Sequence, residues 1–240
     1  MGLFDKKFCD FCGNKISLLG NRKLADGNMC KDCAKDISPN LTGRRQLTVS
    51  DMKDHLAWRE ENKAKLASFS PTRTLGLGKR VHIDDNNKLL LVTSSQRYKE
   101  ENVDLIEFSQ VTGCVIDIDE RQEEEYQKDA EGNEVSYSPP RYTYEYDFYV
   151  VIHLNHPWFD NIRFKVNNST IIGRNSNEYR ESEAVANEIK DALQSLHQAR
   201  MDSMAQAAKP KTSVNCPFCG ASTIPDAFGR CEYCGGAVGG

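Results

Sequence analysis

Eight of the nine cysteines fall into four C-x-x-C pairs, and the pairs form two quartets at opposite ends of the 240-residue chain. Cys9, Cys12, Cys30 and Cys33 make the first, and Cys216, Cys219, Cys231 and Cys234 the second. Two residues between cysteines let a tight turn aim both thiolates at one ion, and two such turns complete the tetrahedral sulfur shell that zinc prefers. The pattern predicts two structural four-cysteine sites and two zinc ions as cofactors. Inner gaps of 17 and 11 residues fit this reading, the shorter one suiting a compact ribbon.

The residue after each pair adds local geometry. Cys12, Cys219 and Cys234 are each followed by glycine, which tolerates the positive φ that a metal-binding turn needs where it reverses the chain. Cys33 is followed instead by Ala34-Lys35-Asp36-Ile37, a short helical stretch that ends before Pro39. A knuckle, a polar hairpin and a pair at a helix start resemble a treble-clef finger. The two C-terminal knuckles resemble a zinc ribbon.

Rival uses of these cysteines are weaker. A disulfide framework needs an oxidising compartment, and the chain opens without an apolar signal segment. Four protein thiolates leave no open position for catalysis at the metal. Thiol-based redox sensing remains an alternative, since zinc-bound thiolates can oxidise with loss of metal.

No stretch approaches the length of a membrane span, and Lys6 breaks the myristoylation pattern that Gly2 would begin, so a cytoplasmic location is expected. Charge is unevenly placed. Residues 1 to 80 carry 16 Lys and Arg against 9 Asp and Glu, whereas residues 117 to 134 carry nine acids against Arg121 and Lys128. Each zinc-thiolate centre adds a further net negative charge to the formal −4. The chain as a whole is not built for nucleic acid, although Arg22, Lys23, Arg44 and Arg45 form a local basic group.

Between the finger and the middle region, Thr48 and Asp51 have the spacing of a capping box, followed by Met52, Leu56, Leu66 and Phe69 as an apolar stripe. This predicts a spacer helix with one side packed and the run Arg59 to Lys63 solvated. The middle region reads as strands. Val81 and Ile83 precede an acidic turn at Asp84 to Asn87, and Leu89 to Val92 follow it. Leu105 to Ile118 form one or two strands, with Gly113 as a bend or bulge. Tyr142 to Leu154 alternate over a long strand that pairs with Ile162, Phe164 and Val166. A closing amphipathic helix, capped by Ser182, carries Val185, Ile189, Leu193 and Leu196.

The expected architecture is therefore α+β and multidomain: a treble-clef-like finger over residues 1–46, a spacer helix over 47–71, an antiparallel β-barrel capped by a helix over 72–206, a linker over 207–215 and a zinc ribbon over 216–240. The strand order, with the phrase from Asp104 to Asp117, resembles a bacterial pleckstrin-homology-like domain. The N-terminal run Cys9-Asp-Phe-Cys-Gly, Leu18 to Leu24, Asp26-Gly, Cys30-Lys-Asp-Cys-Ala and Arg59-Glu-Glu-Asn-Lys resembles a bacterial family of unknown function with a four-cysteine finger. That resemblance implies a finger preceding a pleckstrin-like domain or a short ribbon, and it implies no activity.

Catalytic signatures are missing from the sequence. The histidines, His55, His82, His153, His156 and His197, are poor metal partners, there is no phosphate loop or nucleophile elbow, and the acidic run Asp117 to Glu125 reads as a solvated turn. Cys114 reads as a buried small hydrophobe. The chain is expected to be a non-enzymatic zinc-binding adaptor with a protein partner and no small-molecule substrate. Nucleic-acid binding through residues 1–80, redox sensing and lipid binding are the alternatives, although the acidic first hairpin turn argues against a phosphoinositide site.

Overall fold

The computed structural model describes residues 7–17, 19–208, 213–226 and 229–238. The expectations for Gly2 and Lys6, and for residues 209–212 of the linker, lie outside the described residues. The chain divides into two compact units, residues 1–198 and residues 199–240.

The first unit opens with a short hairpin of β1 (Arg22–Lys23) and β2 (Asn28–Met29), followed by a 3-10 turn over Cys33–Asp36. The helix α1 (Val49–Ser68) begins at the predicted capping box. Thr48 N donates to Asp51 Oδ2 at 2.8 Å, and Asp51 N donates to Thr48 Oγ1 at 3.1 Å. A cap of this kind typically contributes about 1 kcal/mol.

The buried face of α1 runs through Met52, His55, Arg59, Asn62 and Leu66. The run expected to be solvated is therefore divided: Glu60, Glu61 and Lys63 are exposed, whereas Arg59 and Asn62 are 1% and 3% exposed. Helical spacing carries the packed stripe straight through these two polar residues, and residues 102–105, with the carbonyl of Asp36, supply the partners they need. Asn62 Nδ2 donates to Val103 O at 2.8 Å, and Leu105 N donates to Asn62 Oδ1 at 2.7 Å.

Four strands form the first central sheet, in the order β3 (Arg73–Leu75), β4 (Arg80–Asp84), β5 (Leu89–Thr93) and β6 (Ile106–Glu107), all antiparallel. The predicted turn joins β4 to β5. Its Asp84 carboxylate is buried and accepts the amides of Ser70, Asn86 and Asn87 at 2.8 to 3.1 Å. The second sheet contains β7 (Val111–Lys128), β8 (Glu134–Leu154), β9 (Asn161–Lys165) and β10 (Ile171–Ile172). Strand β8 pairs with β7 on one edge and with β9 and β10 on the other. The predicted irregularity at Gly113 is present as a register shift between Val111 and Gly113.

Among the described residues these strands form two sheets and no closed barrel. Strand β6 has two residues, and a 3-10 turn over Phe108–Gln110 separates it from β7, so the ladder is interrupted where a barrel would continue. The sheets are joined instead by packing. Val81, Ile83, Leu90 and Ile106 of the first sheet share one core with Phe148, Val150, Ile152 and Phe164 of the second. Burying each large apolar side chain contributes roughly 1.5–3 kcal/mol.

The helix α2 (Asn177–Ala208) adds Ala186, Ile189 and Leu193 to this core. It starts earlier than expected. Ser176 Oγ accepts from Tyr179 N at 3.1 Å, so Ser176 is the capping residue, while Ser182 is buried inside the helix. The acidic run from Asp117 to Glu125 is also not a turn: it lies within β7, where alternation places Asp117 and Asp119 beside Arg163 of β9 at 2.9 and 3.3 Å.

In the second unit, β11 (Val214–Asn215) pairs with β12 (Ser222–Thr223), and an isolated bridge joins Arg230 to Ala237.

Candidate metal centres

Three of the four C-x-x-C pairs share one backbone construction. Cys9 N donates to Asn14 O at 2.9 Å while Gly13 N returns to Cys9 O at 2.9 Å. The same pair of bonds links Cys216 with Ala221 and Gly220, and Cys231 with Gly236 and Gly235, at 2.8 to 2.9 Å. Gly13, Gly220 and Gly235 have φ of 71°, 73° and 69°, the left-handed region that favours glycine. The fourth pair departs from this pattern, as its sequence predicts. Cys33 begins the 3-10 turn, and Ala34 N donates to Cys30 O at 3.1 Å.

These turns bring each quartet together. The sulfurs of Cys9, Cys12, Cys30 and Cys33 lie within 4.8 Å of one another, as do those of Cys216, Cys219, Cys231 and Cys234. Cys9 and Cys33 approach to 3.9 Å, Cys12 and Cys30 to 3.8 Å, Cys216 and Cys234 to 3.5 Å and Cys219 and Cys231 to 3.7 Å. Four sulfurs held about 2.3 Å from a tetrahedral zinc would stand about 3.8 Å apart, so both sets fit that ion. None of the cysteines is in a disulfide.

Backbone amides prepare the sulfurs for negative charge. Cys30 N donates to Cys9 Sγ at 3.3 Å, Cys33 N to Cys30 Sγ at 3.4 Å and Phe218 N to Cys216 Sγ at 3.4 Å. Burial opposes ionisation of Cys9, but the amides of Cys30, Cys12 and Phe11 outweigh it and bring its pKa down to about 7. Cys231 is likewise penalised by burial yet lowered to about 6 by the amides of Cys234 and Tyr233. Cys33 moves the other way, raised by burial and by the surrounding sulfurs. For Cys234 the Gly236 amide is overcome by Cys216 and Cys219, and its pKa is pushed up to about 12. Each quartet thus holds easily ionised thiols beside reluctant ones, and a cation that attracts all four sulfurs would displace the remaining protons.

The other sequence candidates lie elsewhere. Cys114 is buried in the sheet core, and burial pushes its thiol up to about 11. His55 and His156 come together in an aromatic group that the sequence did not reveal. His55 stands 5.5 Å from Trp58 and 4.9 Å from Trp158, and His156 stacks on Phe159 at 4.2 Å between ring centroids. His55 Nε2 accepts from Ser38 N at 3.1 Å, and His156 Nδ1 accepts from Trp158 N at 3.3 Å. Of the basic group, Arg22, Arg44 and Arg45 line one hollow, whereas Lys23 is exposed outside it.

The paired, positive-φ knuckles and the sulfur quartets define a chain with two four-cysteine clusters that can hold metal. Over residues 7–55, which contain the first quartet and the start of α1, it matches a family described as a domain of unknown function, DUF4428. No curated protein and no solved structure matches the chain. Among the described residues, no helix is long and apolar enough to cross a membrane.

Proposed function

We propose that this protein is a non-enzymatic adaptor that carries two structural zinc ions and engages a protein partner. The observation that carries this reading is the far part of the β7–β8 hairpin. Beyond Glu145 and Tyr146, which pair with β10, and Tyr144, whose carbonyl accepts from Gly173 N at 2.9 Å, β8 is paired among the described residues with β7 alone. Residues 123–128 and 134–143 therefore form a two-stranded arm, and none of them is buried. Tyr126, Val135 and Tyr142 are 36 to 56% exposed along it, with Tyr144 39% exposed at its base, among Glu123, Glu124, Glu125 and Glu134. Residues 137–140 bulge from the ladder where the register shifts between Glu125 and Tyr126. A two-stranded ribbon is marginal in water and offers free backbone edges, the features of a segment that binds by strand addition or by aromatic anchors.

In this reading the zinc ions fold the small modules and do no chemistry, since four thiolates fill each shell. The central region is of pleckstrin-homology-like type. What supports this is the succession of a four-stranded sheet, a second four-stranded sheet and a helix packed on their shared core. Nucleic-acid attachment is the second reading, favoured by the arginines gathered at one hollow of the finger.

The test compares the full chain with a variant in which Gln122 is joined to Tyr144 through Asn-Gly, a pair of residues suited to a two-residue hairpin. Both are cross-linked in the cells that produce them, and the attached species are quantified. The adaptor reading expects a protein retained at least tenfold better by the full chain. Equal retention of every protein by both, or attachment to nucleic acid alone, contradicts it.

A further inference from the structure

The hollow bordered by Arg22, Arg44 and Arg45 has a volume of about 580 Å³ and also exposes Ala34, Ile37 and Leu41. It forms because Gly43, at φ 66°, turns the chain into the 3-10 turn Arg44–Gln46 and brings two consecutive arginines beside Arg22 of β1. No acidic side chain lines it. Among the described residues, none of the three arginines forms an ion pair, whereas Arg59, Arg73, Arg121 and Arg163 each have a carboxylate within 4.0 Å. Arg44 Nε is buried and meets no acceptor. Burial, then the charges of Arg22 and Arg45, lower the Arg44 pKa. Three like charges stand around one space with no countercharge.

Guanidinium groups match the geometry of phosphate oxygens and bind them through paired N–H bonds. A compact dianion held among the three guanidinium groups would relieve this repulsion. We propose that this hollow binds a phosphate monoester, with the guanidinium groups of Arg22, Arg44 and Arg45 as donors and Ala34, Ile37 and Leu41 against its organic part. The same chemistry is offered by a phosphorylated side chain and by a free small phosphate. A polynucleotide fits less well: no aromatic side chain lines the hollow to stack a base. The assignment stands apart from the adaptor reading.

The experiment titrates the full-length, zinc-loaded protein with inorganic phosphate, a phosphoserine peptide, the same peptide unphosphorylated, AMP, adenosine and a single-stranded oligonucleotide, using calorimetry and fluorescence anisotropy. Saturable binding of the phosphoserine peptide or of AMP is expected, with at least tenfold preference over the form lacking phosphate. Whichever of the two binds more tightly identifies the source. Arg45→Gln removes an exposed side chain with no ion pair in the described structure, so it should keep the zinc content and circular dichroism of the parent while weakening binding at least tenfold. Arg22→Gln combined with it should abolish saturation. Absence of saturable binding of any monoester below about 10 mM, unchanged affinity in both variants, or binding of the oligonucleotide alone would overturn the assignment.

Discussion

The guanidinium of Arg59 and the carboxylate of Asp104 form an ion pair with each side chain 1% exposed, and this pair joins α1 to the segment leading into β6 while its further hydrogen bonds reach the N-terminal finger. Arg59 Nε donates to Asp36 O and Nη2 to Val103 O, each at 3.1 Å, and Nη2 also donates to Asn102 Oδ1. Asp104 Oδ2 accepts from Ser38 Oγ at 2.6 Å and from Asn40 Nδ2 at 2.7 Å. Burial lowers the Arg59 pKa, against Asp104, and raises that of Asp104, against Ser38 and Arg59. The network offsets this cost by supplying a partner to nearly every donor and acceptor it buries. Arg59→Met should therefore cost about 3–5 kcal/mol in urea unfolding, because it strands a buried carboxylate. Arg59→Met with Asp104→Leu should recover much of that loss. A cost below about 1 kcal/mol for the single variant would show that the pair is not the link described.

Zinc removal should be felt beyond the finger. Asn102 Nδ2 donates to Lys35 O at 2.9 Å and to Ile37 O at 2.6 Å, so the Cys33–Asp36 turn and the residue after it are tied to the segment leading into β6. In small zinc modules the metal supplies most of the folding free energy. Chelation should thus speed amide hydrogen exchange at residues 103–106 as well as at residues 7–36. Faster exchange confined to residues 7–36 would mean that the two parts fold independently.

Thiol chemistry separates the eight clustered cysteines from the ninth. With zinc bound, a disulfide reagent should react slowly with the whole chain. After chelation in native buffer, eight thiols should react quickly and Cys114 slowly, since burial holds its pKa near 11. Fast reaction of nine thiols would mean that chelation unfolds the sheet core. Mass spectrometry of the labelled peptides gives the count.

The buried histidines set an acid limit. Burial, partly opposed by Glu107, lowers His156 to about 4, and burial with the Arg59 and His156 charges lowers His55 to about 4. The unfolded chain takes up these protons near pH 6.5, so the stability that the neutral rings confer is complete above that pH. It is lost as pH falls toward about 4. His156→Asn keeps an acceptor for Trp158 N and removes the titration. At pH 5 the parent should have lost about 2 kcal/mol more than the variant, relative to pH 7.5. Parallel pH profiles would contradict the burial of a neutral His156.

What the sequence revealed was local. Cysteine spacing, the glycines at 13, 220 and 235, the Thr48–Asp51 box and the β4–β5 turn each depend on residues a few positions apart, and all appear as read. The features that escaped depend on distant partners. Nothing near Arg59 announces Asp104, and the basic group read from Arg22, Lys23, Arg44 and Arg45 loses Lys23, which lies outside the hollow that the other three line. The acidic stretch of β7 has a charged appearance alone, yet becomes a strand through its pairing with β8. The break after β6 was hidden because Phe108 is as apolar as a strand residue, although Phe108–Gln110 turns as a 3-10 segment.

The most direct test of the account measures zinc by elemental analysis on protein purified without added metal, together with X-ray absorption at the zinc edge. Two zinc ions per chain are expected, each with four sulfur neighbours at about 2.3 Å. Cys12→Ser and Cys219→Ser should each reduce the content toward one, because each removes a sulfur from a different quartet. A parent stoichiometry of one or less, or a shell containing nitrogen or oxygen, would contradict twin structural centres built from four cysteines each.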